Sequence, residues 1–393
     1  MACSSDPKPA ASGSSSGSAG SLSSNGPAPN VPDGSVSPAT SAASPAEPKA
    51  PSGSTVDVPD AVAHDCGSDV SAALESFFAG VSDNSTVRLA ANGCYRIDEA
   101  VTIDGKHTLA IDGRGAQLKA GTTGDQDRRH LIVSDSTDVA IRNLTVIGSN
   151  QQAGATTAAY VETLAFQHAF TINGDQRVLL EDVSAGQLHG DFVYISGDAT
   201  DVTVRTSKFD GSGRQGISIV AAQRVLIADN SIANVARSMF DIEMNKATAT
   251  VRDIRITGNH TGPAVNFWLA DKGKGTDIGN VEIDHNVMEQ ATGGLVFVFS
   301  PPSLPGLRGP WLVHDNQFIA NNAVTDENSV GAFLFSRCMQ VTLDHNTVTF
   351  PAGVNMPAVE LRASKGVTLT GNDFTGASQP VMADADTTDV TMR

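Results

Sequence analysis

The sequence predicts an all-β solenoid, a parallel β-helix with a short capping helix at its N-terminal end. Three observations carry this reading. Segments beginning at Val225, Ile254, Val281, Trp311, Val341 and Val367 each start apolar, repeat an apolar residue two positions on, and carry asparagine five positions on. Those asparagines (Asn230, Asn259, Asn286, Asn316, Asn346 and Asn372) are spaced 26 to 30 residues apart, and self-similarity at such a period marks a solenoid. Segments from Val139, Val178 and Val202 fit the pattern without the asparagine. The stretches between them alternate in polarity, favour β-branched residues and end in Gly, Asn or Asp, as short strands joined by turns do. Finally, an asparagine at one turn of each coil can bond its equivalents above and below, a ladder that stacked parallel strands allow.

The elements follow in chain order. Residues 1–57 are mostly Ser, Ala, Gly and Pro, cannot bury a core, and are expected to form a disordered tether; residues 58–393 form the β-helix. The Met-Ala-Cys start and the polar run after it resemble the beginning of a mature bacterial lipoprotein. That resemblance implies lipidation at Cys3, a membrane contact only through that anchor, and an extracytoplasmic location. No stretch is long and apolar enough to span a bilayer. The net charge of −17 argues against nucleic acid as a partner. Cys66 and Cys94 flank the first structured segment, and a disulfide there would pin the cap. Cys338, beside a strand, is expected to be a buried free thiol. The cap helix is read over Ser68–Phe78, with Ser68 capping it and Val70, Ala73, Leu74, Phe77 and Phe78 as its apolar face.

After the helix come TVRLAANGCYRI, AVTIDG and TLAIDGRGAQL, short strands punctuated by glycine. This order resembles the first coils of secreted right-handed parallel β-helix proteins of the pectate-lyase-like superfamily. The resemblance covers about residues 58–393 and implies the fold; the superfamily holds lyases, hydrolases, epimerases and adhesins, so it does not name a reaction.

A second strand precedes each ladder segment: HLIVS, AFTIN, FVYIS, GISIV, MFDIE, NFWLA, LVFVF, AFLFS and AVELR. Alternation sends the second and fourth residues inward, such as Ile217 and Ile219, Phe240 and Ile242, Phe267 and Leu269. The opposite face then holds Tyr194, Ser218, Asp241, Glu243, Asn266, Trp268, Phe297 and Glu360. Long links follow Glu243, Ala270 and Phe299, and an insertion spans 149–165. They are expected to wall a groove over that face.

Asp241 and Glu243 lie two apart on one strand, so both project from the same face with Cα atoms roughly 6.5–7 Å apart. Carboxyl groups near that separation suit glycoside hydrolysis, one as acid and the other as base or nucleophile. Tyr194 and Ser218 are expected in line with Asp241 on the preceding coils and Trp268 on the following one, where its ring would stack on a sugar. Asp191, Arg214 and Arg237 sit at the turns entering the face. His168 and His189 also adjoin it, and His189 with Asp191 and Tyr194 could form a proton relay. His260, His285, His314 and His345 fall in or beside ladder segments and lack metal-ligand spacing. Candidate catalytic residues are therefore Asp241, Glu243, Asp191 and His189; candidate substrate contacts are Tyr194, Arg214, Arg237, Asn266, Trp268 and Phe297.

LHGDF and MFDIEMN only partly echo the signatures of polygalacturonase-like hydrolases, while RQGISIV and MFDIEMN resemble actinobacterial β-helix proteins presumed to act on carbohydrates. Pectate-lyase-like enzymes hold calcium with carboxylates and use Arg or Lys as base, and Asp191, Asp241 and Glu243 with Arg214 or Arg237 can be read that way. The resulting expectation is an extracellular polysaccharide-degrading glycoside hydrolase with no cofactor. The alternatives are a lyase or epimerase on uronic-acid glycans, with calcium, or a non-catalytic glycan-binding surface protein.

Overall fold

The computed structural model describes residues 41–275, 277–321 and 330–393. All strand pairings are parallel, and they run coil upon coil along the chain. One sheet of 11 strands extends from Val101–Asp104 to Val381–Ala383. The strands of each ladder segment and the strand after it belong to a second, continuous 22-stranded sheet. A typical coil therefore has three strands, as in Ile217–Ile219, Ala222–Ala228 and Ser231–Val235.

The asparagine column turns each coil between its second and third strands. Oδ1 of each asparagine accepts the backbone N–H of the asparagine one coil earlier: Asn230 to Asn259, Asn259 to Asn286 and Asn286 to Asn316, each at 3.0 Å. Nδ2 donates to the next asparagine and to a strand carbonyl of the preceding coil, as from Asn286 to Asn316 Oδ1 (3.0 Å) and Ile256 O (2.8 Å). The column runs through Asn346 to Asn372. The residue before each asparagine is left-handed: Asp229, Gly258, His285, Asp315, His345 and Gly371 all have φ between 51° and 65°. Gly, Asn, Asp and His tolerate that region best. Ser207 takes the asparagine's place one coil earlier, donating its N–H to Asn230 Oδ1 at 3.0 Å.

The core is filled by the alternating residues, among them Val225, Ile227, Ile217, Ile219 and Ile242. Toward the C-terminal coils it takes larger rings: Trp268, Trp311, Phe318, Phe333 and Phe335. Cys66 and Cys94 form a disulfide with Cα atoms 4.9 Å apart, and Cys338 is a buried free thiol. The helix spans Ser71–Gly80 and buries Leu74 and Phe78. It starts later than expected, and Ser68 does not cap it: Ser68 belongs to the strand Asp65–Asp69. The Asp69 carboxylate accepts instead from the Ser71 N–H (3.0 Å) and Oγ (2.6 Å).

The tether boundary expected at 57 is too late. Residues 41–54 lie outside helix and strand but run along the flank of the solenoid. Backbone N–H groups of Ala42, Ala46, Lys49 and Ser52 donate to Glu282, Asp201, Asp138 and Asn84 at 2.8–3.0 Å. A segment without core-forming residues is ordered here because the coils supply acceptors for its backbone. Residues 1–40, including Cys3, lie outside the described residues.

Candidate active site

The outward face of the 11-stranded sheet aligns Thr171, Tyr194, Ser218, Asp241, Ala270, Phe297, Leu334 and Glu360 in one register column. Its centre is polar. Asp241, 7 % exposed, accepts from Gln215 Nε2 at 3.1 Å. Two residues on, Glu243 keeps 36 % of its side chain exposed and accepts from Arg214 at 2.5 Å. The same guanidinium donates to Asp191 Oδ2 at 2.7 Å. Asp191 is fully buried, with Ser218 Oγ (2.7 Å) and the Gln215 N–H (2.9 Å) as further donors. Two carboxylates thus share one guanidinium, and Asp241 acts on it through its charge alone.

Burial, then the charge of Glu243, raises the Asp241 pKa well above the ordinary value, and the Arg214 cation only partly opposes this. Burial pushes Asp191 up to about 6 against Arg214 and its hydrogen bonds. Burial would weaken the Arg214 proton, but Asp191, Glu243 and Asp241 together raise its pKa. Tyr194, 9 % exposed, is pushed up to about 12, chiefly by burial and then by the charges of Asp191 and Glu243.

The expected relay of His189 with Asp191 and Tyr194 is not formed. His168 occupies that place: its Nδ1 accepts the Asp191 N–H at 3.0 Å, and its ring stacks on Tyr194 at 4.4 Å. Burial, then Arg214, lowers the His168 pKa well below the imidazole value, so the ring is neutral. His189 is 8 % exposed and has its pKa lowered by burial and by Arg128. The sequence places both histidines beside the face, in QHAF and LHGDF, and its expectation chose His189; the packing of neighbouring coils brings His168 against Asp191 and Tyr194 instead.

Trp268 is the clearest correction. Trp268 and Leu269 both enter the core, and alternation restarts after them. The indole packs against Phe240 and Phe318 and donates to Thr261 Oγ1 at 2.9 Å. Asp241 is therefore in register with Ala270. Phe267, expected inside, lies instead in an outer cluster with Ala270, Phe297 and Leu334. Phe297 does face outward, but stacks between Phe267 and Phe299 and is 1 % exposed. Asn266 is half-buried, with its backbone N–H on Arg237 O at 3.0 Å. Glu360 is buried and pairs with Arg362.

The 149–165 insertion borders the strand-entry edge. Arg237 lies over the Tyr160 ring at 4.8 Å, and Arg214 over the nearby Phe166 at 5.9 Å. At the other edge, the links after Glu243, Asp271 and Phe299 bond to one another. Lys274 donates to Met244 O at 2.6 Å, and Arg308 of the third link reaches the carbonyls of Gly273 and Gly275 while pairing with buried Asp271.

Residues missed from sequence lie on the N-terminal side of the cluster. Arg128, 4 % exposed, bonds Gln167 Oε1 at 3.2 Å. Its Nε and Nη1 have no hydrogen-bond partner among the described residues, nor do His168 Nε2, His189 Nδ1 and Thr171 Oγ1. Arg128 lies in a loop between strands, where no periodic pattern marks it.

Metal-type donors converge elsewhere, at Glu282, Asp284 and His314 and at His285, His314 and Asp315. The expectation from spacing missed this convergence, because these residues meet across coils. Their groups are already paired, His314 with Glu282 at 3.2 Å and Arg255 with Asp284 at 2.8 Å. In the groove, a calcium ion bridging Asp191 and Glu243 would compete for the carboxylate oxygens that Arg214 occupies.

The profile described as "Right handed beta helix region" matches residues 129–303 and 191–374. No curated protein matches the chain. Among solved structures, the surface adhesin PfbA of Streptococcus pneumoniae superposes with a TM-score of 0.61 at 14 % identity, over 86 % of this chain and 89 % of its own. The polygalacturonase of Erwinia carotovora gives 0.59 at 14 %, over 91 % and 98 %. The mannuronan C-5 epimerase AlgE4 A-module of Azotobacter vinelandii gives 0.57 at 16 %, over 86 % and 91 %. At such identities these likenesses speak to fold alone. With the matched span covering most of the solenoid, the chain belongs to the right-handed β-helix family.

Proposed function

We propose that this protein is an extracellular polysaccharide-degrading enzyme, a glycoside hydrolase acting at the Asp241–Glu243 groove. The observation that carries the reading is the unlike environment of the two carboxyl groups. Asp241 is buried with a raised pKa, while Glu243 reaches solvent on the Arg214 guanidinium. Paired carboxyl groups in unlike environments are how acid and base roles separate. Asp241 protonates the leaving oxygen; Glu243 activates water or attacks the sugar. Asp191 touches no solvent and serves to position Arg214 and Ser218.

A second reading, a lyase or epimerase on uronic-acid glycans, draws support from Arg128. A buried guanidinium with unpaired N–H groups suits a sugar carboxylate. Three neighbours of the same fold, an adhesin, a polygalacturonase and an epimerase, are consistent with a glycan ligand. The deciding experiment screens neutral and uronic-acid polysaccharides. New reducing ends without near-ultraviolet absorbance mark the hydrolase; an unsaturated, absorbing product marks a lyase. Binding without either, with the uronic-acid composition of the polymer altered, marks an epimerase; binding with the polymer unchanged would leave a surface adhesin.

The disulfide accords with an extracytoplasmic location, and a lipid on Cys3 would hold the enzyme at the cell surface. The helix Ser71–Gly80 serves as the cap, since an open first coil would expose core and strand edges.

A further inference from the structure

The flank that holds residues 41–54 has a geometry unrelated to the groove. A column of left-handed backbone runs along the start of the second strand of successive coils: Asn84, just before its strand, then Thr108, Asp138, Arg177, Asp201, Arg224 and Asp253, each in the first residues of its strand, with φ between 55° and 60°. They stand on successive coils, in register. Every second coil offers a side-chain oxygen to the strap. Ser52, Lys49, Ala46 and Ala43 donate their backbone N–H to Asn84, Asp138, Asp201 and Asp253 at 2.8, 3.0, 3.0 and 3.4 Å. The donors are three residues apart; the acceptors are two coils apart.

Two lengths explain that rhythm. A polyproline-II segment turns once in three residues and rises about 9.3 Å in doing so. Two coils of a β-solenoid rise about 9.4–9.8 Å. The strap has Pro45, Pro48 and Pro51, one per turn, each just before a donor. Proline has no N–H to give and holds φ near the polyproline-II value, so each turn from Ala43 to Ser52 keeps its prolines off the donor positions; at the end of the run Ala42 adds one bond outside this rhythm, to Glu282 on the next coil at 2.8 Å. Arginines on the intervening coils aim the carboxylates: Arg177 grips Asp138 and Arg224 grips Asp201, both bidentate at 2.6–3.0 Å. At the side, Glu47 pairs with Arg205 at 2.6 Å.

We propose that this flank is a recognition surface for a polyproline-II peptide with proline at every third residue, and that residues 42–52 are its resident ligand. The surface reads backbone period. Its selectivity lies in which residues are proline, because a proline at a donor position removes the bond the coil waits for. A proline-rich segment from another protein with the same spacing is the kind of partner that competes with the strap.

The first test is amide hydrogen exchange on the full chain, resolved to single residues. Ala43, Ala46, Lys49 and Ser52 should exchange at least about tenfold more slowly than the amides between them; uniform exchange through the strap would overturn the proposal. The second uses the full chain with Ala43→Pro, Ala46→Pro and Lys49→Pro, which releases the strap, its fold checked by circular dichroism. A labelled peptide of residues 41–54 should bind this variant saturably and bind wild type at least about tenfold more weakly, since there the site is filled. A peptide with each proline moved one residue on, onto the donors, should not bind. Equal binding of the two peptides, or none to the folded variant, sinks the proposal. If the variant does not fold, the exchange pattern of wild type decides alone.

Discussion

Replacing Asp241 with asparagine should cut activity by orders of magnitude while stabilising the protein above weakly acidic pH. The side chain is nearly isosteric, and Gln215 Nε2 can still donate to its oxygen, as it does to Asp241 at 3.1 Å. What changes is the proton. Burial and the Glu243 charge hold the Asp241 pKa well above its ordinary value of 3.8. Between the unfolded and folded pKa values the native state binds more protons than the unfolded chain, so stability falls as pH rises through that window. The cost is about 1.4 kcal/mol for each pH unit of the window, and a side-chain amide at this position escapes it. Asp191 has the same sign, with its window running from the ordinary value to about 6, and it remains in both proteins. Urea denaturation at several pH values between weakly acidic and neutral should therefore show wild type losing stability more steeply than D241N. Reducing-end release by D241N should fall by about 10²–10⁴-fold, the usual cost of losing a general acid. A variant that is less stable than wild type at neutral pH, or that retains full activity, would refute the assignment of Asp241 as a buried, protonated acid.

Asn286→Ala should cost about 3 kcal/mol in urea denaturation, because the buried Asn259 N–H and the Ile256 carbonyl each lose a partner; a cost below about 0.5 kcal/mol would remove the ladder from the list of stabilising features. Trp268→Ala should destabilise by about 3–5 kcal/mol as a core cavity and leave the KM of the folded enzyme near wild type, since the indole is fully buried; a KM defect without a stability defect would return the ring to the groove. Cys66→Ala with Cys94→Ala should lower stability by about 3.5 kcal/mol, the loop-closure value for a sequence separation of 28, with catalysis unchanged at temperatures where the variant is folded. Arg214→Gln should be among the most destabilising changes in the groove, about 3–5 kcal/mol, because it strands Asp191 as a buried unpaired carboxyl; a loss under about 1 kcal/mol would count against Asp191 as its anchor.

The repeat was legible because its causes are local. A strand buries alternate residues, a left-handed turn selects Asp, Gly or His before asparagine, and both recur once per coil, so Asn230 to Asn372 predict the stack and GISIV and MFDIE predict the register of Ser218 with Asp241. The disulfide pairing followed from where its cysteines flank the first coil. What the chain does across coils could not be read that way. Trp268 obeys alternation in the sequence but enters the core, where its ring packs edge-on against Phe240 and Phe318 and Thr261 accepts its N–H. His168 and His189 sit in similar turns, and only the coil above makes one of them the partner of Asp191. Arg214 binds residues of the coils on either side, 23 and 29 positions away. The strap looks like a tether by composition, and becomes ordered because the coil spacing matches its proline period. Each of these depends on what a neighbouring coil presents about 4.8 Å away, a distance that sequence spacing does not encode.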